Sequence, residues 1–149
     1  MEPTTRVATL DDAVAIQRLN QDDLGYDHPL PAVRDALADA LASPRDRVLV
    51  AEVDGRVVGY VHGEEYRLVY ERPMVNVLGI AVAAAAQGRG VGRALVTDLE
   101  GWARARGAHA LRLVSGEARP GAHAFYARLG FRPTKTQVNF RKPLDQEEP

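Results

Sequence analysis

Three glycines and two arginines crowd together near the middle of the chain: Gly88, Arg89, Gly90, Gly92 and Arg93, directly after Gln87. An apolar stretch, Met74–Val82, precedes them, and Val91, Leu95, Leu99 and Trp102 follow at the spacing of one helical face. Glycine lets a main chain turn sharply and come close to a ligand. The first amides of a helix have no partner inside it, and they sit at the positive end of the helix dipole. A strand, a Gly-rich turn and a helix start, in that order, make an anion site, and phosphate is the usual anion. Arg89 and Arg93 add positive charge beside the amides. The chemistry expected here is the holding of a pyrophosphate-bearing cofactor. Two familiar phosphate motifs are excluded. The P-loop requires Lys-Ser or Lys-Thr after its last glycine, where this chain has Arg93-Ala94, and the dinucleotide fingerprint G-x-G-x-x-G misses by one residue.

The remaining composition narrows the chemistry further. There is no cysteine among the 149 residues, so disulfides, thiolate metal sites and covalent Cys catalysis are out. The histidines, His28, His62, His109 and His123, lack metal-ligand spacing. A formal net charge of -1 gives no reason to expect general binding to nucleic acid or anionic membranes. No apolar run approaches the ~20 residues of a membrane helix. Glu2, Pro3 and Arg6 interrupt any signal-peptide pattern, so a cytoplasmic protein is expected. The length suits one domain over residues 1–149, with an acidic, frayed end at 145–149.

The elements that must position the Gly-rich turn can be read in order. Arg6–Ala8 suits a short strand. Thr9 reads as an N-cap before a helix over Leu10–Gln21, with Leu10, Ala13, Ile16 and Leu19 on one face. A loop over Asp22–Pro31 leads to a second helix carrying Val33, Leu37, Ala40 and Leu41, which stops before Ser43-Pro44. Val48–Val53 and Arg56–Glu65 form a hairpin about Asp54-Gly55. Tyr66–Pro73 is a loop or a ragged strand end. Met74–Val82 is a central strand, nearly all apolar, with Asn76 its polar exception. The helix after the Gly-rich turn runs to about Arg106 and ends at Gly107. A parallel strand over Ala110–Ser115, a short helix marked by Ala122, Phe125, Tyr126 and Leu129, and strand segments at 131–133 and 137–140 complete the chain. The result is an α/β fold of order β-α-α-β-β-β-α-β-α-β-β, a mixed sheet with helices on both sides.

Gln87-x-x-Gly90-x-Gly92 matches the Q/R-x-x-G-x-G/A signature of the GNAT superfamily of N-acetyltransferases. A second segment, Ala122-His123-Ala124-Phe125-Tyr126-Ala127-Arg128-Leu129-Gly130-Phe131, resembles the A-x-x-F-Y-x-x-L-G-F run of that superfamily's fourth helix. The closing Asn139-Phe140-Arg141-Lys142-Pro143-Leu144 is similar to its terminal strand. The chain thus resembles a GNAT protein over essentially its whole length, with the sheet splayed between its fourth and fifth strands.

That resemblance implies acetyl-CoA as cosubstrate and an amine as acceptor. The pyrophosphate would lie on the backbone of Gln87, Gly88, Arg89, Gly90, Val91, Gly92 and Arg93. The pantetheine arm would add to the strand edge at Ile80, Ala81 and Val82, a pairing that needs backbone rather than special side chains. Ile80 and Val82 also suit core packing. Tyr126 is implied as the acid that protonates the leaving thiolate. By residue type alone it is equally a core tyrosine with its hydroxyl at the edge. Arg119, His123 and Tyr126 fall at i, i+4, i+7, so Arg119 or His123 is expected on the CoA side, with ordinary surface solvation the other reading for each. The amine must lose a proton. Glu64, Glu65 and Glu71 are the candidate bases or acceptor-side groups, and each also suits a solvated surface. Asn76 stands where some members carry a carboxylate; an amide is no base but orients a water or the acceptor. Asp22, Asp23 and Asp27 would extend Glu64, Glu65 and Glu71 into an acidic acceptor surface if the first helix loop meets the third strand's end. The acceptor itself stays open among a small amine, an antibiotic-like polyamine and a peptide amine. A homodimer paired through strands near the C-terminus is a habit of the family. The competing reading is an acyl-CoA-binding sensor without turnover.

Overall fold

In the computed structural model, residues 2–116 and 120–145 are described, and they divide into two compact units that meet in sequence between Val114 and Ser115. Each unit is described by itself.

The first unit is a five-stranded sheet in the order β1-β2-β3-β4-β5. Its strands are β1 (Thr4–Val7), β2 (Asp46–Val53), β3 (Arg56–Leu68), β4 (Glu71–Val82) and β5 (Leu111–Arg112). All neighbours are antiparallel except β4 and β5, which are parallel. The helices are α1 (Ala13–Leu19), α2 (Leu30–Ala42) and α3 (Val91–Ala105). One face of the sheet, with Val48, Val50, Tyr60 and Ala81, packs with Ile16, Leu19, Val33 and Leu37 from α1 and α2. On the other face lies α3, whose Leu95 and Leu99 have no exposed surface. Gly63 of β3 makes room for it, because a Cβ there would stand 2.7 Å from a Leu99 methyl.

The expected first helix is three pieces. A 3-10 turn, Leu10–Asp12, precedes α1, and a π-turn, Asn20–Leu24, follows it. Asp12 fixes the entry: its carboxylate accepts the Thr9 amide at 2.8 Å and both terminal nitrogens of Arg6 at 2.8 and 2.9 Å. Gly25 ends the π-turn with φ +76, a left-handed conformation that favours glycine, and donates its amide to the Asn20 carbonyl. The expected loop therefore starts inside this wide turn.

Of the two readings of Tyr66–Pro73, the ragged strand end is the one that holds. β3 runs on to Leu68, β4 starts at Glu71, and Val69 and Tyr70 form the exposed turn between them. Pro73, which cannot donate to a ladder, sits where the pairing slips between Tyr66 and Leu68. A second slip lies mid-strand. Gly63 pairs Val77 while His62 pairs Gly79, so Leu78 bulges and is half exposed. The expected strand Ala110–Ser115 shortens to Leu111–Arg112, paired only with Val75 and Asn76. The chain then leaves the ladder.

The second unit carries α4 (Pro120–Arg128), closed by the Leu129 and Gly130 amides on the Tyr126 and Ala127 carbonyls. The strands expected at 131–133 and 137–140 are absent among the described residues. Val138 and Phe140 are largely exposed there, and a strand without a ladder partner gains nothing from its extended form. The acidic end at 146–149 lies outside the described residues.

Candidate active site

β4 and the turn that follows it carry the residues expected to hold the cofactor. Beyond Asn76 the edge of β4 facing β5 has no strand partner among the described residues, while its other edge stays paired to β3 through Val82. Ile80, Ala81 and Val82 are buried, so their side chains serve the core and their backbone forms that open edge. The chain then makes a 3-10 turn, Ala84–Ala86, and reaches Gln87, whose side-chain amide donates to the Val82 carbonyl at 3.3 Å and to Asp23 at 3.5 Å. Gly88 and Gly90 both take φ +81, and no atom lies within 4 Å of a Cβ placed on either. Gly90 caps α3, whose first internal bond runs from the Ala94 amide to the Gly90 carbonyl at 2.9 Å. The amides of the first turn precede that bond, and the turn carries Arg93 rather than an acid. An open strand edge running into a bare, left-handed glycine turn at a helix start fits an extended thioester arm ending in a pyrophosphate.

The acceptor-side candidates separate. Asp46, Glu64, Asn76 and Arg112 pair in register, one from each of four adjacent strands, and form a polar row across the sheet. Arg112 donates to the Asn76 side-chain oxygen at 3.0 Å and lies over the Tyr66 ring. Asp46 holds His62 at 2.7 Å. Glu65 is one residue on and therefore faces α3. Its buried carboxylate accepts Arg106 at 2.6 Å, with Arg45 and Arg67 at 3.7 and 3.8 Å. The Arg106 hydrogen bond holds its pKa below the usual carboxylate range against the opposing effect of burial. This engagement stabilises the ionised carboxylate beside Arg106 and sets Glu65 on the α3 face, apart from the polar row. Glu71 stands at the start of β4, the end remote from the Gly-rich turn, 3.9 Å from His109.

The π-turn and the residues after it, Asn20–His28, meet β3 at its middle. Tyr60, buried in β3, donates its hydroxyl to the Asn20 side-chain oxygen. Burial pushes the Tyr60 hydroxyl up to about 12, and Tyr26 and Asp23 nearby add to the effect. Asn20, Gly25, Tyr26, Asp27 and His28 line a shallow, open depression of the surface. Of the six acids expected to form one surface, Asp22, Asp23 and Asp27 share this connection, and Glu64 lies on the sheet face that α1 and α2 cover elsewhere.

In the second unit the Tyr126 ring is half-buried, with Phe125 at 5.7 Å and Phe131 at 6.3 Å between ring centres. His123 bonds the Gly116 carbonyl at 2.8 Å. Arg119 lies outside the described residues. Asn20, Tyr60 and the Leu78 bulge escaped the sequence reading; Asn20 looks like a helix residue, Tyr60 like any strand tyrosine, and a register slip has no residue signature.

Residues 13–131 match the Acetyltransferase (GNAT) family. The chain is 35% identical to the aminoglycoside N(6')-acetyltransferase type 1 of Stenotrophomonas maltophilia, over 96% of this chain and 95% of that one. Among solved structures it is similar to the apo aminoglycoside 6'-N-acetyltransferase AAC(6')-IG of Acinetobacter haemolyticus, with TM-score 0.85, 20% identity, and 95% and 99% of the two chains covered. The AAC(6')-Iy structure with the bisubstrate analogue CoA-S-monomethyl-acetylneamine also gives TM-score 0.85 at 20% identity, covering 96% and 99%. The chain belongs to the GNAT family: it is an N-acetyltransferase, and acetyl-CoA is its cosubstrate. No helix among the described residues is long and apolar enough to cross a membrane.

Proposed function

We propose that the protein transfers the acetyl group of acetyl-CoA to a primary amine of a polycationic, aminoglycoside-like acceptor, in the cytoplasm. The observation that carries this is the 35% identity to an aminoglycoside N(6')-acetyltransferase along nearly the full length of both chains. The three aspartates of the α1–α2 connection support it, since a polyamine is best met by clustered carboxylates, and Gln87 ties that connection to the cofactor turn through Asp23.

Bound acetyl-CoA supplies an activated acetyl thioester. The turn from Gln87 to Arg93 would hold its pyrophosphate, and the open β4 edge at Ile80–Val82 would align its arm. The acceptor amine, protonated in water near neutral pH, must give up a proton before its nitrogen can bond to the acetyl carbon. Glu64, or water beside Asn76, takes that proton in this reading. As the carbon–sulfur bond breaks, the Tyr126 hydroxyl donates its proton to the sulfur and recovers one from the second proton that the newly bonded nitrogen gives up, so free CoA thiol leaves with a neutral N-acetyl product.

The test is release of CoA thiol with paired aminoglycosides that differ only in bearing a 6'-amine or a 6'-hydroxyl, with mass spectrometry of the product. Acetylation of the amine member alone is expected. Thiol release with simple amines and none with either aminoglycoside would overturn the acceptor class. Tyr126→Phe is expected to lower kcat at least tenfold while the acetyl-CoA dissociation constant stays within twofold. An unchanged kcat would remove Tyr126 from the chemistry.

A further inference from the structure

We propose that Tyr60 is a positioning residue for the acceptor side: its buried hydroxyl pins the Asn20–His28 connection onto the middle of the sheet and so sets the shape of the open depression that Tyr26, Asp27 and His28 line. This rests on reading that connection as the acceptor side. Four observations converge on it. Tyr60 lies in β3 opposite Ala81, belongs to the core cluster under α1 and α2, and is only 7% exposed, so its ring has little freedom to move. Its hydroxyl spends its proton on the side chain of Asn20, the first residue of the π-turn. The Asn20 backbone carbonyl in turn accepts the amides of both Gly25 and Tyr26, so one residue closes the turn with its backbone and anchors it with its side chain. Finally, β4 leaves a gap for the tyrosine: a Cβ at Gly79 would stand 3.2 Å from the Tyr60 hydroxyl oxygen, closer than an ordinary contact.

Leu24 packs against the core cluster and Asp23 accepts from Gln87, but Asp22, Asp23 and every residue from Gly25 to Pro29 are exposed, so little apolar burial orders them. Wide π-turns of this kind are often placed at functional sites. A single buried hydrogen bond to such a segment shifts its equilibrium between ordered and loose forms, and acceptor affinity scales with the ordered fraction. Tyr60 acts on the acceptor through this segment and does not touch the reacting atoms.

The experiment compares wild type with Tyr60→Phe, Asn20→Leu and Asn20→Asp, using amide hydrogen exchange of the full chain alongside steady-state kinetics. Tyr60→Phe keeps the ring and deletes only the hydroxyl. It should speed exchange at residues 20–28 severalfold, leave the amides of β2, β3 and β4 at wild-type rates, raise acceptor KM about tenfold and leave the acetyl-CoA dissociation constant within twofold. Asn20→Leu should do the same. Asn20→Asp keeps an oxygen that can accept the hydroxyl and should restore slow exchange. Unchanged exchange at residues 20–28 in Tyr60→Phe overturns the proposal. So does equal acceleration throughout the sheet, which would mark general loss of stability, and so does loosened exchange with unchanged acceptor KM. If wild type acetylates no amine, the proposed acceptor chemistry fails, while exchange at residues 20–28 still decides whether Tyr60 anchors the segment.

Discussion

Two glycines at opposite ends of α3 separate backbone strain from cofactor binding. Gly90 caps the start of the helix at φ +81, and Gly107 follows its end at φ +83. Neither has any atom within 4 Å of an added Cβ, so alanine meets no clash at either site and differs from glycine only in backbone preference. Holding an L-residue in the left-handed region costs roughly 1–2 kcal/mol. The surroundings decide where that cost is felt. Gly107 is locked: its amide donates to Arg104, the Ala108 amide to Ala103, and the His109 amide to Pro73 in β4. The chain there cannot relax, so Gly107→Ala should lose stability, about 2–8 °C in Tm at roughly 2–4 °C per kcal/mol for a chain of this size. Gly88, Arg89 and Gly90, by contrast, are exposed and bare. Gly90→Ala should relax in the free protein, barely move its Tm, and incur the strain only when the turn closes on a pyrophosphate.

A cost of about 1–2 kcal/mol on binding weakens acetyl-CoA roughly 5- to 30-fold. The assay is thermal melting at fixed ligand. With acetyl-CoA at one hundred times the wild-type dissociation constant, ligand adds about 2.7 kcal/mol, and a tenfold weaker variant keeps only about 1.4. The ligand-induced rise in Tm should therefore halve for Gly90→Ala and stay whole for Gly107→Ala. Wild-type binding by Gly90→Ala would refute the assignment of the turn as the pyrophosphate cradle. Weakened binding by Gly107→Ala would show that strain anywhere on α3 reaches the site.

Three further outcomes follow from burial and charge. Leu99→Ala empties a fully buried position under Gly63 and should cost about 2–5 kcal/mol, read from urea unfolding; less than 1 would mean the α3 face collapses around the gap. The Arg6 hydrogen bond holds Asp12 below the usual carboxylate range, so its stabilisation is present above the ordinary value of 3.8 and is lost as pH falls through the depressed pKa. Unfolding curves of wild type and Asp12→Asn should therefore differ at neutral pH and converge in acid; a constant gap would refute the linkage. Tyr60 runs the opposite way. Its pKa is raised from 10 to about 12, so the folded state keeps a proton that the unfolded chain releases, and stability present below pH 10 is lost as pH climbs to 12, by up to about 2–3 kcal/mol. Tyr60→Phe should lack that alkaline loss, and equal loss in both proteins would contradict the burial of the hydroxyl.

The glycine turn and the elements around it were legible in the sequence because they are local. Gln87, Gly88, Gly90 and Gly92 are neighbours in the chain, Gly88 and Gly90 are demanded by left-handed φ values, and the apolar runs before and after them carry the two periods of strand and helix. The hairpin at Asp54-Gly55 and the parallel β5 were legible for the same reason. The acceptor side is assembled across the chain and was not. Asn20 and Tyr60 are 40 residues apart and meet through one hydrogen bond, which no spacing rule encodes. Asp46, Glu64, Asn76 and Arg112 come abreast only through register. That register depends on Leu78: with strict two-residue alternation through β4, Asn76 and Gly79 would face opposite sides, and only the bulge puts Gly79 opposite His62 on the face where Tyr60 needs its missing side chain. Plain alternation along β3 separates Glu64 from Glu65 in role, one in the polar row and the other bound to Arg106, although by residue type the two are identical neighbours. A single extra residue in β4, placed just past the last residue that pairs with β5, thus brings a glycine rather than a side chain against the Tyr60 hydroxyl.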